Sequence, residues 1–106
     1  MTDKIVIYST CGSAEEAERI SSLLIERKLA ACVTVITPVK SYYRWQGKVE
    51  KSDEWLLMIK TSQALFEAVS AAIQKAHSYE VPEVIAVPIA AGSAAYLSWL
   101  GSEVGE

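Results

Sequence analysis

The chain is poor in the side chains from which metal centres and active sites are most often built. Among 106 residues there is one histidine, His77, and two cysteines, Cys11 and Cys32. No Cys-x-x-Cys pair occurs, so a local zinc or redox motif is absent. There is no Gly-rich phosphate loop and no nucleophile elbow. The 10 basic residues are scattered and the formal net charge is −3, so no basic stripe exists to neutralise phosphates and nucleic acid is excluded as a partner. No apolar run approaches the ~18 residues that a membrane span needs, and no basic and apolar leader precedes Lys4. The expectation is therefore a cytoplasmic protein with two reduced thiols and no membrane partner.

What is present is an ordinary globular balance. Apolar residues make up 51% of the chain and charged residues 22%, which is too apolar for disorder. A chain of this length builds one core without staples, so residues 1–106 are expected to form a single domain.

Lys4 to Thr10 is apolar and β-branched and predicts a strand buried on both faces. Ser13 followed by Glu16 makes a capping box, opening a helix that ends near Lys28. Its inward stripe is Ala17, Ile20, Leu24 and Lys28, and Glu15 pairs with Arg19 on the outside. From Cys32 to Thr61 the period changes to two, with Gln46-Gly47 as the turn of a hairpin whose arms are unusually long. Tyr43 and Trp45 share one face of it, Tyr42 and Arg44 the other. Ser62 caps a second helix with Leu65, Val69, Ala72, Ile73 and Ala76 on one face. Pro82 requires that helix to stop around His77. Val84 to Val87 predicts a last buried strand, and Gly92-Ser93 opens a short helix with Tyr96, Trp99 and Leu100 as its apolar side. The order strand, helix, strand, strand, helix, strand predicts an α+β, ferredoxin-like βαββαβ sandwich with a short C-terminal helix. A swapped or barrel arrangement is the alternative.

Each hairpin arm runs about fifteen residues, or ~50 Å, against ~20 Å for the first and last strands. Half of the hairpin thus has no partner strand within its own chain. Bare edges rich in aromatics aggregate unless covered, so pairing with further copies of the chain in a closed ring is expected. The alternative is a solvated ribbon bent at Pro38 and Glu50-Lys51-Ser52.

The stretch from His77 to Glu83 concentrates the chemistry: an imidazole, a phenol, two carboxylates and a proline. Thiolate and imidazole suit copper or zinc rather than magnesium or calcium. The predicted topology brings Cys11 and His77 to one end of the sheet and Cys32 to the other, so a site using all three must borrow from a neighbouring chain. His77 reads first as a helix cap, and Cys32 reads also as a small buried hydrophobe. Catalysis fares worse, because no nucleophile, base and oxyanion hole converge; a binding module, not an enzyme, is expected. Tyr79, Glu80 and Glu83 could instead hold a small cationic ligand.

Leu29-Ala30-Ala31-Cys32-Val33, Ser41-Tyr42-Tyr43-Arg44-Trp45-Gln46-Gly47-Lys48, Glu54 through Lys60-Thr61, the His77–Glu83 stretch and Tyr96-Leu97 with Trp99 together resemble the CutA divalent-cation tolerance family. The resemblance runs from about Ile5 to Leu100. It implies a ferredoxin-like homotrimer held by the long hairpins, similar in architecture to the PII signalling proteins. It further implies a role in tolerance of copper and other divalent cations such as zinc, with metal ligands at Cys11, Cys32 and His77. Trp45, Glu54 and Lys60 join Tyr79, Glu80 and Glu83 as the expected residues of an inter-subunit cleft. The alternative function is a PII-like module that binds a small metabolite or a partner protein in those clefts. One residue departs from the family pattern: Ser78 stands where a proline usually follows this histidine.

Overall fold

A computed structural model describes residues 2–105. In chain order the elements are β1 (Lys4–Cys11), α1 (Ala14–Glu26), β2 (Cys32–Trp45), β3 (Lys48–Ser62), α2 (Phe66–Ala76), β4 (Ile85–Pro88) and α3 (Ala94–Ser102), with a 3-10 turn at Gln63–Leu65 before α2. The sheet has the order β2-β3-β1-β4, and every pair in it is antiparallel. β1 and β2, joined through α1, therefore run the same way with β3 between them.

Alternation along the strands sends odd-numbered residues of β1 and β3 to one side, where Ile5, Ile7, Leu57 and Ile59 are buried against Ala17, Ile20 and Leu24 of α1 and Val69, Ala72 and Ile73 of α2. Burial of each large side chain in this layer contributes roughly 1.5–3 kcal/mol. The even-numbered residues face away from α1 and α2. Lys4, Val6 and Tyr8 are only half-buried there, so β1 is not covered on both sides as expected. The expected buried strand at residues 84–87 is overturned more completely. β4 is exposed throughout, with Val87 at 45%, because it lies at the sheet edge and α1 and α2 do not cover it.

Local signals set the element ends. Ser13 Oγ accepts from the Glu16 N–H at 3.2 Å, as the capping motif predicts. Glu16 does not complete the box, since its carboxylate is engaged elsewhere. α1 stops at Glu26, and Lys28, expected in the inward stripe, is an exposed residue with φ 57°. The Lys28 and Leu29 amides close the helix onto the carbonyls of Ile25 and Leu24. Arg19 turns away from Glu15: its guanidinium donates to the Ala76 carbonyl at 2.9 Å and lies 3.7 Å from Glu16. Ser62 precedes the 3-10 turn, and its side chain makes no capping bond. In α3, Leu100 is buried while Tyr96 and Trp99 stay exposed and pack on each other at 5.6 Å.

The hairpin is as long as its sequence requires, 14 residues in β2 and 15 in β3. Gln46 and Gly47 both have positive φ, 50° and 83°, which is the two-residue turn whose twist matches paired strands. β1 pairs with β3 only from Trp55 to Ser62, so residues 48–54 of β3 meet β2 alone among the described residues.

One irregularity positions the site. Ile36 pairs with Leu56 and Val39 with Glu54, so β2 spends an extra residue where β3 spends one. This bulge reverses the parity of everything beyond it. Tyr43 and Trp45 are thereby carried to the face of Glu54, away from α1 and α2.

Candidate functional site

His77 is the first residue beyond α2, and its backbone turns extended, with ψ 145°. Its ring is wholly buried, with a side-chain exposure of 0%. Both nitrogens are engaged: Nε2 lies 2.7 Å from the Thr10 carbonyl oxygen at the end of β1, and Nδ1 accepts from the Tyr79 N–H at 3.0 Å. An amide can only donate and a carbonyl can only accept, so the pair fixes the Nε2–H tautomer. The ring ties the end of α2 to β1; it does not cap the helix's own carbonyls.

Glu16, which the sequence offers only as a capping residue, closes on the same ring. Its buried carboxylate accepts from the Ser78 N–H at 2.7 Å and lies 3.8 Å from His77 Nδ1. Burial pushes the Glu16 carboxyl up, but the hydrogen bonds from Ser78, the neighbouring His77 and the Gly12 backbone together outweigh it and hold it below the usual carboxylate range. The capping motif disguised this role, because a glutamate three residues after a serine is already explained locally.

Cys11, Glu16 and His77 each offer a ligand atom, and these atoms lie within 4.8 Å of one another. Sulfur, oxygen and nitrogen donors together have the chemistry of a copper or zinc site. The cluster as folded does not fit an ion. Both imidazole nitrogens and the carboxylate are committed, and the Cys11 thiol, at 0% exposure, is pushed up to about 12, first by burial and then by Glu16 and Glu54. An ion there would have to displace a buried hydrogen bond and ionise a reluctant thiol.

Cys32 is not part of this cluster. It pairs with Lys60 near the start of β2, whereas Cys11 pairs with Trp55, some five residues or ~17 Å along β3. Cys11 and Cys32 also point to opposite sides of the sheet. Cys32 is a half-exposed free thiol whose neighbour is the Thr34 hydroxyl at 3.9 Å, so it is not the buried hydrophobe that its setting suggested. Within one chain the three expected ligands do not meet. Lys60 lies apart from Glu54 within the chain: its ammonium donates to Thr34 at 2.7 Å, six residues along β3 from Glu54.

The remaining cleft residues do come together. Where β1 ends, residues 79–83 cross to the face of Glu54 and, with Tyr43 and Trp45 from the hairpin, enclose a cavity of about 690 Å³. Tyr79 O–H donates to Glu54 Oε2 at 2.7 Å, and its ring packs 4.6 Å from that of His77. Burial, then the bond to Glu54, push the Tyr79 phenol above its ordinary range. Gly12 makes room for this contact, since a Cβ there would lie 3.0 Å from the phenol oxygen. Burial and the charge of Glu54 also push the Glu83 carboxyl up. Glu80, Glu83 and Trp45 all line the cavity.

A family model described as the CutA1 divalent ion tolerance protein matches residues 5–103. A divalent-cation tolerance protein CutA from Thermus thermophilus is 41% identical over 100 residues, covering 94% of this chain and 97% of its own length. A chloroplastic CutA protein of Arabidopsis thaliana is 44% identical over 96 residues, 91% of this chain but 53% of that protein. The chain thus spans about half the length of some of the curated relatives it matches. The crystal structure of CutA from Xylella fastidiosa superposes with a TM-score of 0.95 at 40% identity, covering 98% of this chain and 100% of that one. The Thermus relative is named for tolerance of cations and not for a reaction.

Proposed function

The chain belongs to the CutA1 divalent ion tolerance family, and on that premise we propose that it works as a ferredoxin-like homotrimer contributing to the response to divalent cations, copper foremost and zinc as the alternative. The observation that carries the proposal is the half-hairpin, residues 39–54, which finds no strand beyond its own partner among the described residues. Its edges and the exposed apolar residues Ile36, Ile85 and Val87, on the sheet face away from α1 and α2, favour burial against further copies, and a closed ring leaves no edge bare. An ion is then assigned to a junction between subunits, where half-exposed Cys32 is within a neighbour's reach and buried His77 and Cys11 are not. The assigned compartment is the cytoplasm, which suits two free thiols. No catalysed reaction is assigned.

Copper titration of the wild type, Cys32→Ser and His77→Ala tests the metal assignment. Affinity should fall in the Cys32 variant, and equal affinities in all three proteins would remove these residues as ligands. The cavity beside Glu54 favours a second reading, a PII-like module in which a cleft holds a small metabolite or a partner's side chain. A thermal-shift screen of metabolites against metals separates the two, since only a ligand that prefers the native state raises the Tm.

A further inference from the structure

Glu54 is 4% exposed, yet among the described residues no basic side chain pairs with it. Its hydrogen-bond partner is the neutral Tyr79 phenol, on Oε2. A carboxylate offers about four acceptor positions, and buried charges are normally matched by an opposite charge. Glu54 thus carries unspent acceptor capacity into the cavity it lines.

The rest of the lining points the same way. It contains three carboxylates (Glu54, Glu80 and Glu83), the aromatic side chains of Tyr42, Tyr43, Trp45 and Tyr79, and no lysine, arginine or histidine. Tyr43 is held in place by a 2.7 Å hydrogen bond between its hydroxyl and that of Ser52. Aromatic faces and a desolvated carboxylate are the two groups that attract an organic cation. The volume, about 690 Å³, is that of a small-molecule site and far exceeds what a bare ion fills. The three carboxylates, moreover, do not converge as metal ligands: the triad within ligand distance is Cys11, Glu16 and His77, on the other side of the sheet.

We infer that the cavity between the hairpin and residues 79–83 binds a small organic cation, an amine or guanidinium, whose charge pairs with Glu54 and whose stem packs on Tyr43 and Trp45. The site rests on the second reading above, that a cleft takes a small ligand, and names the class of that ligand. Tyr79 positions the carboxylate by holding one oxygen, leaving the other toward the ligand.

Calorimetric titration of the full chain with phenethylamine, methylguanidine and the neutral isostere 2-phenylethanol tests the site. Phenethylamine should bind at least about ten-fold tighter than the alcohol, the worth of one partly desolvated charge pair. Glu54→Gln, which keeps the Tyr79 bond, should abolish that preference, and Trp45→Ala should weaken both amine and guanidinium several-fold. Glu18→Gln, the same charge change on an exposed face of α1, should leave binding unchanged. Should Glu54→Gln fold poorly by circular dichroism, Trp45→Ala decides, with an unchanged mass by light scattering as the control that its assembly is intact. Equal binding of amine and alcohol, or no binding of either, would overturn the inference; the second result would mean that a neighbouring subunit fills the cavity. An anionic or neutral metabolite that raises the Tm while amines do not would sink the inference and leave the small-ligand reading standing.

Discussion

The imidazole of His77 donates to the backbone carbonyl of Thr10 across 67 positions of sequence, at 2.7 Å and out of reach of solvent. Its other nitrogen accepts from the Tyr79 amide, so one side chain fastens α2, β1 and residues 79–83 together. His77→Ala removes both bonds and leaves a buried gap, at a cost of about 2–4 kcal/mol. Urea denaturation measures it, and a loss below about 1 kcal/mol would show that the ring is not a structural tie.

Ser78 follows His77 directly, and its amide serves buried Glu16 at 2.7 Å. Proline has no N–H, so Ser78→Pro should strand that carboxylate and cost about 1–3 kcal/mol, offset by at most ~1 kcal/mol from a stiffer unfolded chain. In a double-mutant cycle with Glu16→Gln the proline penalty should shrink. An unchanged penalty would place the cost elsewhere.

Glu16 also predicts an acid dependence of stability. Burial alone would raise its carboxyl, but the Ser78 bonds, with His77 and the Gly12 backbone, bring it below its ordinary 4.5. A group whose folded pKa lies below its unfolded one stabilises the protein above the unfolded value and loses that contribution as pH falls through the folded value. The stability difference between wild type and Glu16→Gln should therefore narrow as pH drops below about 4.5. Parallel curves throughout would contradict this role.

The two thiols should differ in reactivity. Burial, reinforced by Glu16 and Glu54, pushes Cys11 up to about 12, which leaves almost no thiolate at neutral pH. A maleimide should modify Cys11 only after denaturation, so the folded protein consumes no more than one equivalent per chain. Modification of Cys11 in the folded protein, located by peptide mass, would show that the cluster opens.

Much of this architecture was readable from residue order. Period-two patterning and Gln46-Gly47 placed the hairpin, and Pro82 placed the end of α2. What escaped was whatever depends on a neighbour in space. Residues 84–87 look buried because an apolar run reads alike whether its own helix covers it or nothing in the chain does. Ser13 alone accounts for a glutamate at position 16, and the helical period runs on to Lys28 although the helix ends at Glu26. Glu54 gained its setting from the bulge after Ile36, where one added residue decides which face Tyr43 and Trp45 occupy. Such a shift leaves the alternation on either side of it intact, so only the register reveals it.

Two further copies of the chain are proposed to close the uncovered sheet face and the outer half of the hairpin. Light scattering on the eluting peak of a size-exclusion column measures this directly. The expected mass is three times the 11.6 kDa of one chain, unchanged on dilution. A mass of one chain, with the hairpin still protected from hydrogen exchange, would contradict it.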